Sequence, residues 1–76
     1  MEELLTYIAK GLVDRPEEVT VESFEEDDAL VLELTVAEDE TGKVIGRNGR
    51  TVNALRAVVR ASAVKQGRRV LVDVVD

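Results

Sequence analysis

The sequence predicts an α+β fold in which a three-stranded mixed sheet carries three helices on one face. The strands are predicted by two runs rich in β-branched residues that flank an acidic turn, and by a nearly uninterrupted apolar run near the end of the chain. The main helices are predicted by two segments that repeat apolar residues at spacings of three and four. The length of 76 residues indicates one domain, 1–76.

The first helix is predicted at residues 2–10, because apolar side chains from Leu4 to Leu12 recur at helical spacing. Gly11 is the predicted helix end, and Tyr7 is predicted to pack at the helix edge. The stretch that follows is predicted to be a loop, because its proline disfavours helical geometry at the preceding residue.

Two strands are predicted at residues 19–24 and 29–36, paired as an antiparallel hairpin. The connecting residues 25–28 are all acidic. They lack the spacing of a calcium loop, so they are predicted to form a solvated turn.

A short helix is predicted at residues 40–45 with Asp39 as its N-cap, and a long helix at residues 50–66 ended by Gly67. The last strand is predicted at residues 70–75. The helical crossover places this strand parallel to the second one through a right-handed connection. The predicted order is therefore helix, strand, strand, helix, helix, strand.

The composition argues against an enzyme and against a metal site. The chain has neither cysteine nor histidine, which removes disulfides, thiolate ligands, the usual general base and the usual zinc ligand. Ser23 and Ser62 fall in a predicted strand and in mid-helix, with no evident base. The glycine-rich fingerprints of nucleotide sites are absent from the sequence, so no cofactor is expected.

Charge is distributed unevenly along the chain. The net charge of −6 by itself argues against a nucleic-acid partner. Residues 1–40 hold fourteen acidic and two basic residues (net −12), whereas residues 41–76 hold two acidic and eight basic residues (net +6). This asymmetry predicts one basic surface on an acidic body.

No apolar run approaches the ~18 residues needed to span a membrane. The acidic start of the chain also differs from the basic start of a signal peptide. We therefore expect a cytoplasmic protein that does not contact a membrane.

Residues 41–54 carry the strongest functional signal. Gly46 and Gly49 bracket a loop between the two last predicted helices, and glycine lets another backbone approach closely. The helix after the loop is expected to point unpaired N–H groups of residues 50–53 at it, and these groups attract phosphate together with the helix dipole. Two arginines, one in the loop and one just after it, add positive charge at the same place.

The extended pattern of the KH domain is apolar-Ile-Gly-X-X-Gly-X-X-apolar, and the chain resembles it at Val44-Ile45-Gly46-Arg47-Asn48-Gly49-Arg50-Thr51-Val52. The predicted element order matches the type II, bacterial KH arrangement, with a three-stranded mixed sheet and three helices on one face. The resemblance covers essentially the whole chain, which looks most like the small single-KH bacterial proteins of the KhpA (YlqC) family.

The resemblance implies binding of single-stranded RNA, with the glycine loop clamping the backbone of about four nucleotides. The bases would lie in an apolar groove between the helices beside the loop and the neighbouring sheet edge, with Gly42, Val44, Ile45 and Val36 as the candidate groove residues. The preference for RNA over single-stranded DNA depends on the resemblance alone. The residues that the resemblance assigns to RNA binding are Gly42, Lys43, Val44, Ile45, Gly46, Arg47, Asn48, Gly49, Arg50 and Asn53.

Five more basic residues either extend the positive surface or only form a solvated helix face and strand start; they are Arg56, Arg60, Lys65, Arg68 and Arg69. For Arg56 and Arg60 a further alternative is pairing with the acidic first half of the chain or with a protein partner, and the sequence leaves these alternatives open. The acidic turn corresponds to the variable loop of KH domains and would repel phosphate. If about three phosphates are neutralised, the salt slope would be about −2, so weak binding that needs a second module is expected.

The resemblance also implies a cellular role as an RNA chaperone or post-transcriptional regulator linked to cell envelope growth and division. The alternative is a protein-interaction module that acts as a homodimer, or as a heterodimer with a KhpB/Jag/EloR-type RNA-binding protein. The long helix and the apolar final strand are the candidate interfaces for that alternative.

Overall fold

The computed structural model describes residues 1–75 and confirms the predicted element order, with element ends shifted by one or two residues. The elements are α1 (Glu2–Leu12), β1 (Thr20–Glu26), β2 (Ala29–Thr35), α2 (Thr41–Ile45), α3 (Arg50–Lys65) and β3 (Arg69–Val74). Single 3-10 turns lie at Pro16–Glu18, Glu38–Glu40 and Arg47–Gly49.

The three strands form one mixed sheet in the order β1-β2-β3. β1 and β2 pair antiparallel with Val21 opposite Leu34, and β2 and β3 pair parallel with Leu32 opposite Val72. The crossover through α2 and α3 makes the parallel pairing possible, because parallel neighbours cannot be joined by a tight hairpin. The architecture is that of a type II KH fold.

The core lies between the sheet and the helices. One face of the sheet packs its apolar side chains against α1 and α3, whereas the other face carries no helix among the described residues. The largest side chains that are fully buried in this core are Leu5, Leu32, Leu34, Val44 and Val59. Each aliphatic side chain of this kind contributes roughly 1.5–3 kcal/mol through burial.

Two expectations about α1 are wrong. The helix continues through Gly11 to Leu12, because Ile8 and Leu12 pack against the core one turn apart and hold the last turn in place. Tyr7 does not pack, since 80% of its surface is exposed. Helical periodicity placed the apolar face of α1 correctly but did not show that Tyr7 lies outside it.

The hairpin turn is shorter than expected. β1 extends through Glu26, so the connection contains only Asp27 and Asp28 instead of four residues. Asp27 has a positive φ of 56°, a conformation that aspartate tolerates better than most residues. The two strands therefore pair along their full length up to a tight acidic turn.

Of the two ends of the helical crossover, the first differs from expectation and the second agrees with it. Asp39 is not the N-cap of α2, because Glu40 precedes the helix and the Asp39 carboxylate instead pairs with the guanidinium of Arg15. Gly67 does terminate the long helix, as predicted, with a φ of 67°. The N–H of Gly67 donates to Val64 O (3.0 Å), and the next N–H donates to Ala63 O (2.8 Å), which is the Schellman arrangement.

The topology separates the glycine loop from the acidic turn. α3 starts at the loop and runs antiparallel to β2 and β3, so its last residues lie near the start of β3. A helix of 16 residues is about 24 Å long. The loop and the acidic hairpin turn thus lie at opposite ends of the sheet. Among residues 1–75, none of the helices combines the length and the apolar character that crossing a membrane requires.

Candidate nucleic-acid interface

The glycine loop begins at Gly46, directly after the last residue of α2. Its backbone angles (φ 75°, ψ 172°) lie in a region that is essentially restricted to glycine. A Cβ atom added to Gly46 would lie 2.7 Å from Thr51 Cβ and 2.9 Å from Thr51 N. Real Cβ contacts are essentially never that short, so the loop passes against the first turn of α3 at a distance that only glycine permits.

The rest of the loop is a single tight turn. Asn48 (φ 58°, ψ 25°) and Gly49 (φ 76°, ψ 12°) both adopt left-handed conformations. The Gly49 N–H donates to Gly46 O (3.2 Å), and the Arg50 N–H donates to Arg47 O. The expectation that the Arg50 N–H is unpaired is therefore wrong, because the turn uses it. These internal hydrogen bonds hold the loop in shape without a ligand.

Three polar side chains project from the loop and the start of α3. Arg47, Asn48 and Arg50 are all exposed. Neither arginine takes part in any of the ion pairs formed within residues 1–75. Their charges are thus available to a phosphate, to which guanidinium groups donate short, charge-assisted hydrogen bonds.

Lys43 lies one turn before the loop but is already paired. Its ammonium lies 2.5 Å from Asp14 Oδ2 and 3.2 Å from Glu40 Oε2. The hydrogen bond that Lys43 donates to Asp14, followed by the one that it donates to Glu40, raises the pKa of Lys43 above its ordinary value. An RNA contact by Lys43 would therefore compete with two carboxylates.

The apolar residues near the loop divide into supporting and accessible positions. Val44 and Val36 are buried, so their side chains belong to the core beneath the loop and do not line a groove. Ile45 is half-buried, and Gly42 is exposed with open space around it. Of the apolar positions assigned to the groove, Ile45 is the one whose side chain remains partly accessible.

Arg56 joins α3 to the free edge of β3. Along a strand the backbone N–H and C=O groups of successive residues point alternately to one side and the other. The Val75 N–H donates to Leu34 O of β2, so Val72, an odd number of residues earlier, directs its N–H and C=O away from β2. Arg56 Nε donates to Val72 O at 3.2 Å, and its Nη1 lies 3.4 Å from Asn53 Oδ1. The structure thus places Asn53 and Arg56 in line between the glycine loop and the strand edge.

The remaining basic residues lie toward the far end of α3. Arg68 pairs with Glu25 at 2.8 Å, whereas Arg60, Lys65 and Arg69 are exposed. The acidic turn lies at the same far end, about 24 Å from the loop by the length of α3. Because this separation exceeds the Debye length of about 8 Å at physiological salt, the turn does not repel phosphate at the loop appreciably.

A buried carboxylate fastens the base of the loop. Glu40 is 3% exposed and accepts hydrogen bonds from the backbone N–H groups of Asp14 (2.5 Å) and Arg15 (3.1 Å). The Asp14 hydrogen bond is the main reason why the pKa of Glu40 lies below its ordinary value, and Lys43 lowers it further. Glu40 thereby ties the segment after α1 to the start of α2.

The sequence alone did not reveal this role of Glu40. The cluster of acidic residues at 38–40 suggested only solvation and helix capping. The spacing of Glu40 and Lys43 was a weak signal of an ion pair, because residues three apart can meet on a helix. The decisive partners, at positions 14 and 15, come from a distant part of the chain.

Comparison with known proteins identifies the family. The sequence model described as "KhpA/KhpB, KH domain" matches residues 2–74. The chain belongs to the KhpA/KhpB KH-domain family. The glycine loop of this family member thus occupies residues 46–49, between α2 and α3 of a type II KH fold.

Individual relatives are similar over all or nearly all of their length. An "RNA-binding protein KhpA" from Clostridium acetobutylicum is 47% identical over 75 residues, covering 99% of this chain and 100% of its own. Proteins of the same name from Halalkalibacterium halodurans and Streptomyces coelicolor are 49% and 51% identical over 76 residues, covering all of this chain and 100% and 92% of their own. No solved structure matches the chain significantly.

A metal centre has no support in the described part of the chain. Within residues 1–75, no three acidic side chains come together in an arrangement that could hold a metal ion.

Proposed function

We propose that this KhpA/KhpB-family chain binds single-stranded RNA and clamps its backbone with the loop at residues 46–49. The observation that carries the proposal is that Arg47, Asn48 and Arg50 are all exposed beside the loop, and that neither arginine takes part in an ion pair formed within residues 1–75. The names of the relatives, RNA-binding protein KhpA, support RNA as the ligand. Preference for RNA over single-stranded DNA depends on those names alone.

In the proposed complex the phosphates follow the loop. Arg47, Asn48 and Arg50 donate to phosphate oxygens, and the ribose-phosphate chain runs along the loop at residues 46–49. The bases lie along α3 toward Asn53 and Arg56, where the outer edge of β3 is nearest. Neutralisation of about three phosphates gives weak binding with a salt slope of about −2.

Weak binding by one module fits a role in which several modules act together. We propose a cytoplasmic RNA chaperone or post-transcriptional regulator with a link to cell envelope growth and division. Linking two modules raises affinity through effective concentration, so pairing with another KH-containing protein would supply the missing strength.

The test uses fluorescence anisotropy of labelled single-stranded RNA at two salt concentrations. The variant Arg47→Asp with Asn48→Asp should abolish binding, and aspartate is tolerated at the left-handed position 48. The control variant, Arg60→Asp with Ala61→Asp, makes the same change in net charge on an exposed part of α3 about 15 Å away.

Loss of binding in the loop variant, with binding retained in the control, is the expected result. Equal loss of RNA binding in the loop variant and in the control would mean that RNA is held only by general electrostatic attraction. Unchanged binding in the loop variant would remove the loop from the site. Circular dichroism of each variant shows whether the fold persists.

A second candidate function is protein pairing, favoured by an apolar groove between α1 and α3. Val58 is 47% exposed there, although it is aliphatic. The groove has a volume of about 230 Å³ and is lined by Ile8, Leu12, Thr51, Ala54, Leu55 and Val58. A homodimer, or a heterodimer with a KhpB/Jag/EloR-type protein, would cover this surface.

Sedimentation without RNA distinguishes the two candidates. If pairing is the main function, the wild type should sediment as a dimer, and Val58→Asp should sediment as a monomer because a buried charge opposes association. A monomeric wild type with clear RNA affinity would weaken this second candidate.

A further inference from the structure

The face of the sheet that points away from the helices carries two contrasting rows of side chains. The strand register places the members of each row directly opposite one another across the three strands. We name them the apolar row, formed by Phe24, Val31 and Leu71, and the acidic row, formed by Glu22, Glu33 and Asp73. The two rows are adjacent, two residues apart along every strand.

The apolar row is a hydrophobic strip open to solvent. Val31 is only 8% exposed, yet it does not belong to the core between the sheet and the helices. Its burial comes from the two larger side chains beside it, Phe24 (41% exposed) and Leu71 (43% exposed). Because neighbouring strands lie about 4.8 Å apart, the strip extends about 10 Å across the sheet.

The acidic row is an arrangement that the fold itself does not favour. Like charges directly opposite one another on adjacent strands destabilise a sheet. Glu22, Glu33 and Asp73 take part in none of the ion pairs formed within residues 1–75. The basic residue on the same face, Arg69, is separated from the acidic row by the apolar row. The row therefore presents three uncompensated negative charges beside a hydrophobic strip.

We propose that this outer face docks a segment of a partner protein in which aliphatic side chains alternate with lysine or arginine. The aliphatic side chains would cover Phe24, Val31 and Leu71. The basic side chains would pair with the acidic row about 7 Å away along the strands, two residues at about 3.4 Å each. The negative charge opposes RNA binding on this face, and the glycine loop lies on the helical side, so the surface is separate from the loop.

The test titrates the isotope-labelled chain with a short synthetic peptide of alternating leucine and lysine, followed by nuclear magnetic resonance of the backbone amides. Two matched peptides separate the charge pairing from the apolar contact: one replaces each lysine by glutamate, and the other replaces each leucine by serine. The test variant is Glu33→Gln with Asp73→Asn. The control, Glu17→Gln with Glu38→Gln, removes the same charge from exposed turns outside the sheet.

The expected result is a set of shifts confined to the strand residues of the two rows. The test variant should weaken binding about tenfold, the loss expected for two exposed ion pairs near the upper end of their range. The control variant should bind as the wild type does, and Leu71→Ser should also weaken binding. Thermal melts and RNA anisotropy of the test variant should show an intact fold and unchanged RNA binding.

Four outcomes would overturn the proposal. Equal weakening in the control would mean that the net charge of −6 attracts any basic peptide. Equal binding of the glutamate peptide would show that the acidic row does not contribute to peptide binding. Shifts on this face with single-stranded RNA, or self-association of the chain that buries it, would assign the surface to a different occupant.

Discussion

Replacing Gly46 by alanine adds one methyl group at the point where the loop passes closest to α3. The new Cβ would lie 2.7 Å from Thr51 Cβ and 2.9 Å from Thr51 N, and the second of these atoms belongs to the backbone. The loop must therefore shift away from the helix, and the alanine is also strained in the glycine-only region at φ 75° and ψ 172°.

The cost has two parts. Holding a non-glycine residue in such a backbone conformation costs about 1–3 kcal/mol. Forcing an extra methyl group into a packed contact typically costs another ~1–3 kcal/mol. A working value of ~4 kcal/mol is comparable to the lower end of the ~4–11 kcal/mol expected for the whole domain at this length. At about 4–8 °C per kcal/mol, the unfolding midpoint should fall by ~15 °C or more.

Two other glycines provide a graded comparison. Gly49 also has a positive φ of 76°, but a Cβ there would meet its nearest atom, Asn53 Nδ2, at 3.7 Å. Gly49→Ala should therefore cost only the backbone term, about 1–2 kcal/mol. Gly42 lies in α2 with no atom within 4 Å of an added Cβ, so Gly42→Ala should stabilise by about 0.5–1 kcal/mol.

The assay is urea unfolding followed by circular dichroism, with a thermal melt of each variant. The expected order of stability is Gly42→Ala, wild type, Gly49→Ala, Gly46→Ala. If Gly46→Ala is no less stable than Gly49→Ala, the close approach to Thr51 does not make glycine necessary at position 46, which would refute the explanation given for the loop. RNA anisotropy on the stable Gly42→Ala variant shows separately whether RNA contacts that position.

At neutral pH, Glu40→Gln should unfold at a lower temperature than wild type. The two carboxylate oxygens of Glu40 each accept a backbone hydrogen bond, whereas an amide has only one oxygen that can accept. Hydrogen bonds hold the pKa of Glu40 below its ordinary value, so this advantage of the wild type should be lost progressively as the pH falls from the ordinary carboxyl range through the lowered pKa, and melts at successive pH values should converge. Arg56→Lys keeps the charge but loses the Nε bond to Val72 O, which should cost about 1 kcal/mol in urea unfolding. Arg47→Gln should make the salt slope of RNA binding shallower by about 0.7, the share of one phosphate, and an unchanged slope would show that Arg47 makes no such contact.

Local patterns in the sequence were sufficient for the elements of the fold. The apolar spacing within residues 50–66 predicted α3 to within one residue, because helical periodicity is a property of neighbouring positions. The alternating apolar residues of the two strands and the acidic residues between them predicted the hairpin. They did not predict that β1 continues through Glu26. Gly67 predicted the end of α3, since a left-handed residue is needed there.

The candidate site could be located from the sequence but not built from it. The spacing of Gly46 and Gly49 placed the loop between α2 and α3, where the structure has it. The sequence did not show that Lys43 is paired with Asp14, because these residues lie 29 positions apart. It also could not show that Val44 is fully buried beneath the loop.

The sequence by itself determined the order of helices and strands, the position of the glycine loop and the division of the chain into an acidic and a basic part, because each of these depends on residue type and short spacing. The tertiary structure decided which side chains meet. Glu40 is buried because the segment after α1 folds over it, and Phe24 and Leu71 lie in one row because two pairings of β2 bring them together. Such contacts join residues far apart along the chain, and only the packed sheet and helices bring them within a few ångströms.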